Sequence, residues 1–198
     1  MAKPRLTAGK KRPVKRQPTN LDLLRKALGR LTKPKLTELF IRLAQNDRGL
    51  QRTLEAELNI EGPASDLDES TRQAILDATK VDTRRLNYNF EYDYKAYEAI
   101  AKNFKRMVAA GLWEQVMNHS VELMHKGSYQ VECSDEGLMT EDIEECLLPV
   151  IRAVGKSGLS PADVFHWCGL MLATDRVGFI CREELCKLQA SFAEGLMG

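Results

Sequence analysis

The sequence predicts an all-α protein, and three observations predict it. Apolar residues recur three and four apart from Leu21 to Phe192, the spacing that gathers side chains on one face of a helix. Glycine and proline are widely spaced over most of that span, unlike the regular turn signals of a β-sandwich. Aromatic residues, which strands favour, make up only 7% of the chain against 43% hydrophobic residues in all. That composition is ordinary for a globular protein, and 198 residues give length for one sizeable core or two small helical units.

Residues 1–19 are expected to be a disordered basic arm. Lys3, Arg5, Lys10, Lys11, Arg12, Lys15 and Arg16 stand there among Pro4, Pro13 and Pro18 with no acid, and the apolar content is too small to offset the entropy of ordering. A small helical unit over 20–60 follows. Leu21, Leu24, Leu28 and Leu31 form its first stripe, and Leu36, Leu39, Phe40 and Leu43 its second. Thr32 before Pro34 supplies the start between them, because proline is tolerated in a first turn. Leu50, Leu54 and Leu58 mark a third short helix from about Asp47.

Asn59 to Asp66 carries Gly62 and Pro63 and reads as a boundary, so 61–80 is expected to be a linker with a weakly amphipathic connecting helix. Residues 81–198 are expected to be a helical array. Phe90, Tyr94, Tyr97 and Ala101 open the core stripe of a helix over 88–110, and Gly111 ends it where a left-handed cap is favoured. The next helix, 112–126, uses Trp113, Val116, Met117, Ser120, Val121 and Met124 and is expected to stop at Gly127. Ile143, Leu147, Val150, Ile151 and Val154 face inward from 140–154, with Pro149 expected to bend that helix. Ser160, Pro161 and Asp163 spell a helix start for a segment carrying Val164, Phe165, Cys168, Leu170, Met171 and Leu172. A last helix begins near Arg182 with Leu185, Leu188 and Phe192.

The stretch from Ala109 to Glu114, with small residues, a turn glycine and Trp113 opening a helix, resembles a helix pair of the tetratricopeptide type. The resemblance implies helical hairpins stacked as a short tetratricopeptide-like (TPR-like) array. Leu31 to Leu39, Ala44 to Asp47 with Leu54, Tyr94 to Lys126 and Glu132 to Gly137 together resemble the helical region of SWIM zinc-finger proteins and their relatives of unknown function. The Cys-x-Cys and Cys-x-His pairs of such a finger are absent, so the resemblance implies an accessory helical module without the zinc site.

Catalytic and metal chemistry find little purchase. With Gly178 as sixth residue of a calcium loop, positions one and five are Ala173 and Val177, and with Gly137 the twelfth is Ile143; both lack the required oxygens. Cys181 with Cys186, and His166 with Cys168, do not match zinc-ligand pairs followed by a second pair. His119 and His125 are six apart, off one helical face. No nucleophile elbow, phosphate loop, dinucleotide fingerprint or His-Glu-x-x-His occurs. The chain is expected to be non-enzymatic, with no catalytic, cofactor or metal residues and no cofactor. Cys133, Cys146, Cys168, Cys181 and Cys186, an odd number among mostly apolar neighbours, are expected to be reduced and buried.

The formal net charge of +1 conceals +7 on residues 1–20 against 22 basic and 28 acidic residues in the remainder. No apolar leader follows the basic arm, and Val164 to Thr174, free of charge, spans 11 residues where a membrane helix needs about 20. A cytoplasmic protein without membrane contact is the expectation. The function expected is a helical protein-interaction or scaffold module with a protein partner. The alternative is nucleic-acid association through the seven basic residues of the arm, which are the candidate polyanion site. Arg84, Arg85, Tyr88 and Tyr92, basic residues interleaved with aromatics, are the candidate partner surface, because aromatics between basic residues stack bases.

Overall fold

In this computed structural model the described residues are 19–58, 60, 62–85, 93–134 and 140–193. Among them are nine α-helices, two short 3-10 turns and no strand, so the protein is all-α. The chain divides into two units, 1–46 and 47–198.

The first unit contributes α1 (Asn20–Leu28) and α2 (Lys33–Asn46). A reciprocal capping box starts α1: the Thr19 hydroxyl accepts the Asp22 N–H at 3.2 Å, and the Asp22 carboxylate accepts the Thr19 N–H at 3.0 Å. The Thr19 hydroxyl and then its backbone N–H hold the Asp22 carboxyl below its ordinary value. Neither helix contains a single buried residue. The apolar stripes of 20–46 therefore make helices, but within this unit they do not make a core.

The second unit opens with α3 (Arg48–Glu57), whose first turn is held by the Asp47 carboxylate accepting the Leu50 N–H at 3.0 Å. The sequence placed this helix with the N-terminal unit. Here it belongs to the unit 47–198, where it packs on the helix Tyr94–Ala109 and Arg52 reaches Asp77 and, at 2.7 Å, Asp93. The segment expected to be a linker with a weakly amphipathic connecting helix holds α4 (Leu67–Ala78), and Leu67, Thr71, Ala74, Ile75 and Ala78 are all buried. Apolar content was diluted there by Asp68, Glu69 and Arg72 on the outer face, which is why the stripe reads weakly.

Helix α5 (Tyr94–Ala109) is capped by Asp93, whose carboxylate accepts the Ala96 N–H at 3.1 Å. Ala96, Tyr97, Ile100, Phe104 and Met107 point into the core, while Tyr94, expected inside, is 55% exposed with the Lys95 ammonium 5.2 Å from its ring centre. Phe90 lies outside the described residues. Gly111, at φ 69°, turns the chain into α6 (Trp113–Glu132), as expected of a left-handed cap.

Helix α6 does not stop at Gly127 but continues to Glu132. Gly127 is buried inside it because α7 (Glu141–Val154) brings Ile143 so close that a Cβ on residue 127 would stand 2.8 Å from Ile143 Cδ1. The glycine marks a close helix crossing, not an end. Pro149 lies on the exposed face of α7, and the helix runs through it, so the ladder bond that proline removes falls on the outer side.

Helix α8 (Pro161–Thr174) starts as expected, with the Ser160 hydroxyl accepting the Asp163 N–H at 3.1 Å. Its apolar sequence is broader than its buried face: Val164, Trp167, Cys168 and Met171 are inside, whereas Phe165 and Leu170 are exposed. Helix α9 (Arg182–Ala193) packs on α8 and buries Leu185. In this unit each helix touches the next but one, α4 with α6, α5 with α7, α6 with α8 and α7 with α9.

Buried polar groups in this core are matched. The Tyr97 hydroxyl donates to Gln130 Oε1 at 2.9 Å, and Gln130 Nε2 donates to the Ala78 carbonyl at 2.8 Å. The Trp167 indole donates to the Met117 carbonyl at 3.1 Å, and His119 Nε2 lies 2.8 Å from Asp68 Oδ1. No buried side-chain nitrogen or oxygen among the described residues lacks a partner.

Candidate functional site: an apolar helix pair

Among the described residues no group of three or more His, Cys, Asp or Glu side chains is placed to hold a metal ion. In the Gly178 turn, Asp175 is committed to the backbone: its carboxylate accepts the N–H of Val177 at 3.1 Å and of Ile180 at 2.9 Å. Cys133, Cys146, Cys168 and Cys181 are buried free thiols, as expected, and Cys186 is exposed. Burial pushes Cys146, Cys168 and Cys181 up to about 12, which keeps them as poorly nucleophilic thiols at neutral pH.

A cleft of about 620 Å³ opens between α3, α4 and α5. Leu67, Ala74 and Ala99 give it an apolar floor, and Asn103 donates to the Ser70 hydroxyl at 3.3 Å beside them. Its charged rim is largely engaged with itself. Arg52 is spent on Asp77 and Asp93, Glu69 binds Arg72, Lys95 binds Glu98 at 3.3 Å, and Arg106 donates to the Gly62 carbonyl at 2.7 Å. Hydrogen bonding to Arg72 holds Glu69 below its ordinary value, and Glu98 raises Lys95. A rim of satisfied ion pairs has little charge left to offer a ligand.

The contrast lies in α1 and α2. Leu21 is 72% exposed, Leu23, Leu24 and Ile41 are slightly more than half exposed, and Phe40 and Leu43 are also exposed. Beside Ile41, Lys33, Pro34, Thr37 and Glu38 frame a shallow, almost wholly apolar recess on α2. Isolated apolar residues on a surface are ordinary, whereas here a run of them is exposed along two short helices. These helices also extend the basic character of the arm. Residues 1–46 hold 13 basic and 2 acidic side chains, a net +11, whereas 47–198 hold 16 and 26, a net −10.

Of the residues singled out by sequence, Arg84 is exposed in the 3-10 turn Thr83–Arg85, its N–H bonded to Asp82 Oδ1 at 3.0 Å. The Arg85 side chain, Tyr88 and Tyr92 lie outside the described residues, as do Lys3, Arg5, Lys10, Lys11, Arg12, Lys15 and Arg16. The apolar surface of α1 and α2 was not among the candidates, since Leu21, Leu24, Phe40 and Leu43 were read only as the stripes that define the helices of the 20–60 unit. Leu23 and Ile41 were the available signal, because each falls off its helix's main stripe.

Comparison with protein-family models, with curated proteins and with solved structures gives no match. Among the described residues no helix is long and apolar enough to cross a membrane.

Proposed function

We propose that this chain is a non-catalytic protein-interaction module whose docking element is the α1–α2 pair, carried on the same chain as a packed helical body. The observation that carries this is the absence of any buried residue in α1 and α2 despite their exposed leucines, isoleucine and phenylalanine. Leaving that area in water costs about 25 cal/mol per Å² relative to covering it. The skip-one helix contacts of 47–198 support the reading of a stacked, TPR-like body. The double variant Leu24→Asp, Ile41→Asp tests the proposal. Side-by-side affinity capture with wild-type and variant chain is expected to lose a specific partner in the variant, while the main thermal transition stays within a degree or two, about the spread of a surface substitution. An identical set of captured proteins would refute it.

A second reading has its own observation. The +11 of residues 1–46 equips that segment to bind a polyanion through the arm, since phosphate contacts supply most non-specific nucleic-acid affinity.

A further inference from the structure

We infer that the occupant of the α1–α2 surface is an acidic amphipathic helix of another protein, an inference that rests on the docking reading above and names the partner's chemistry. The placement of the apolar residues argues for protein on more than one side. At about 100° per residue, Ile41 stands roughly 160° around α2 from Leu39, and Leu23 roughly 160° around α1 from Leu21. Ile41 and Leu23 are both more than half exposed. A helix lying in a lipid interface carries one apolar face opposite one charged face, whereas Leu23 and Ile41 put an exposed apolar side chain away from the main stripe of each helix. Residues 20–46 also contain no Trp or Tyr, the side chains that anchor helices at a bilayer surface.

Charge sets the sign of the partner. Residues 20–46 hold six basic side chains, Arg25, Lys26, Arg30, Lys33, Lys35 and Arg42, against Asp22 and Glu38. Asp22 is committed to the cap of α1. A symmetric pairing of α1–α2 with its own copy would oppose two such segments together with two basic arms, so like charges work against it. Nucleic acid answers the charge but offers a phosphate backbone where Leu23, Leu24 and Ile41 need apolar cover. An acidic helix with a leucine stripe answers both, and the recess at Ile41 accepts one of its apolar side chains.

The test uses the full chain and a helix-stabilised peptide of about 20 residues, with leucine at the seam and glutamate elsewhere. Its controls are the same peptide with lysine for glutamate, vesicles of phosphatidylcholine with phosphatidylserine, and a short DNA duplex. The acidic peptide is expected to bind at least ~10-fold tighter than the basic one, to weaken as salt rises, and to be lost in Leu24→Asp, Ile41→Asp with helicity unchanged. Equal or tighter binding of the basic peptide overturns the inference and leaves the docking reading standing. So does self-association in sedimentation velocity that the double variant abolishes, which would make a second copy the occupant. Binding to vesicles or duplex through Leu24 and Ile41, with neither peptide bound, overturns the inference and the docking reading together. If no probe binds, the acidic-helix inference fails, and the affinity-capture comparison decides the docking reading separately.

Discussion

Gly127 and Ile143 show how one missing atom sets a helix crossing. An alanine at 127 gains about 1 kcal/mol of helix propensity, but its Cβ stands 2.8 Å from Ile143 Cδ1 and 3.2 Å from Cγ1, and overpacking of this kind costs about 1–3 kcal/mol. Gly127→Ala is expected to lower stability by about 1 kcal/mol, and Ile143→Val, which removes Cδ1, is expected to be less damaging in its presence than alone. Denaturant titration of the four proteins of that cycle reads the coupling; an alanine variant more stable than wild type would contradict the crossing. The buried thiols give a second prediction. Burial first, with Asp142 and Glu145 adding at Cys146 and Glu144 and Glu184 at Cys181, raises three cysteines from 9.0 to about 12. The unfolded chain releases those protons from about pH 9 and the folded chain holds them to about 12. Their contribution is thus complete below pH 9 and lost as pH rises from 9 to 12. Chemical denaturation across that window is expected to show falling stability, with a shallower slope in the Cys146→Ala, Cys168→Ala, Cys181→Ala variant.

Among the elements, α3 depends on one side chain more than on its apolar stripe. Arg52 is 13% exposed and divides its guanidinium between Asp77 and Asp93, one near the end of α4 and the other capping α5. Arg52→Ala takes the bridging guanidinium from both carboxylates, leaving Asp77 with Arg48 and Gln73 and Asp93 with the Ala96 N–H. A loss of about 2–3 kcal/mol is expected, below the full value for a buried pair because the aspartates are partly solvated. Arg52→Lys is expected to recover only part of it, since a single ammonium does not span two carboxylates as a planar fork does. Limited proteolysis with cleavage mapped across 48–57 checks this, and an unchanged digestion pattern would count against it. Helix type and order were legible in the sequence from Leu21 to Phe192 because the 3.6-residue period survives without tertiary information. The end of α6 and the allegiance of α3 were not. A glycine inside a close crossing has the same local signature as a glycine at a cap, and an ion pair joining residues 52, 77 and 93 leaves no periodic trace. The candidate site was half legible: the stripes of α1 and α2 were evident, but a stripe alone does not tell a buried face from an exposed one.

At the scale of the whole molecule, charge is distributed very unevenly along the chain, +11 over 1–46 and −10 over 47–198. Removal of residues 1–19 is expected to abolish affinity for duplex DNA or heparin. The thermal transition should be nearly unmoved, since every buried residue described lies beyond Asn46. If all seven basic residues of the arm meet phosphates in the intact chain, the slope of log affinity against log salt is about −6 on duplex, and fewer contacts flatten it in proportion. Comparable binding by the truncated chain would move the site to the basic residues of α1 and α2 or to the segment around Arg84 and Tyr88.

Gln130 ties three parts of the core by one amide: Tyr97 on α5, Ala78 at the end of α4, and α6 itself. A carbonyl can only accept, so the nitrogen end must face Ala78 and the oxygen end Tyr97. A purely oily interior would allow the helices to slide a turn or roll against one another at little cost. With this amide inside, each misaligned packing strands a buried donor or acceptor, at about 1–3 kcal/mol apiece. One glutamine thus acts as a key that admits a single alignment of three helices, and replacing it by leucine would trade uniqueness of arrangement for grease.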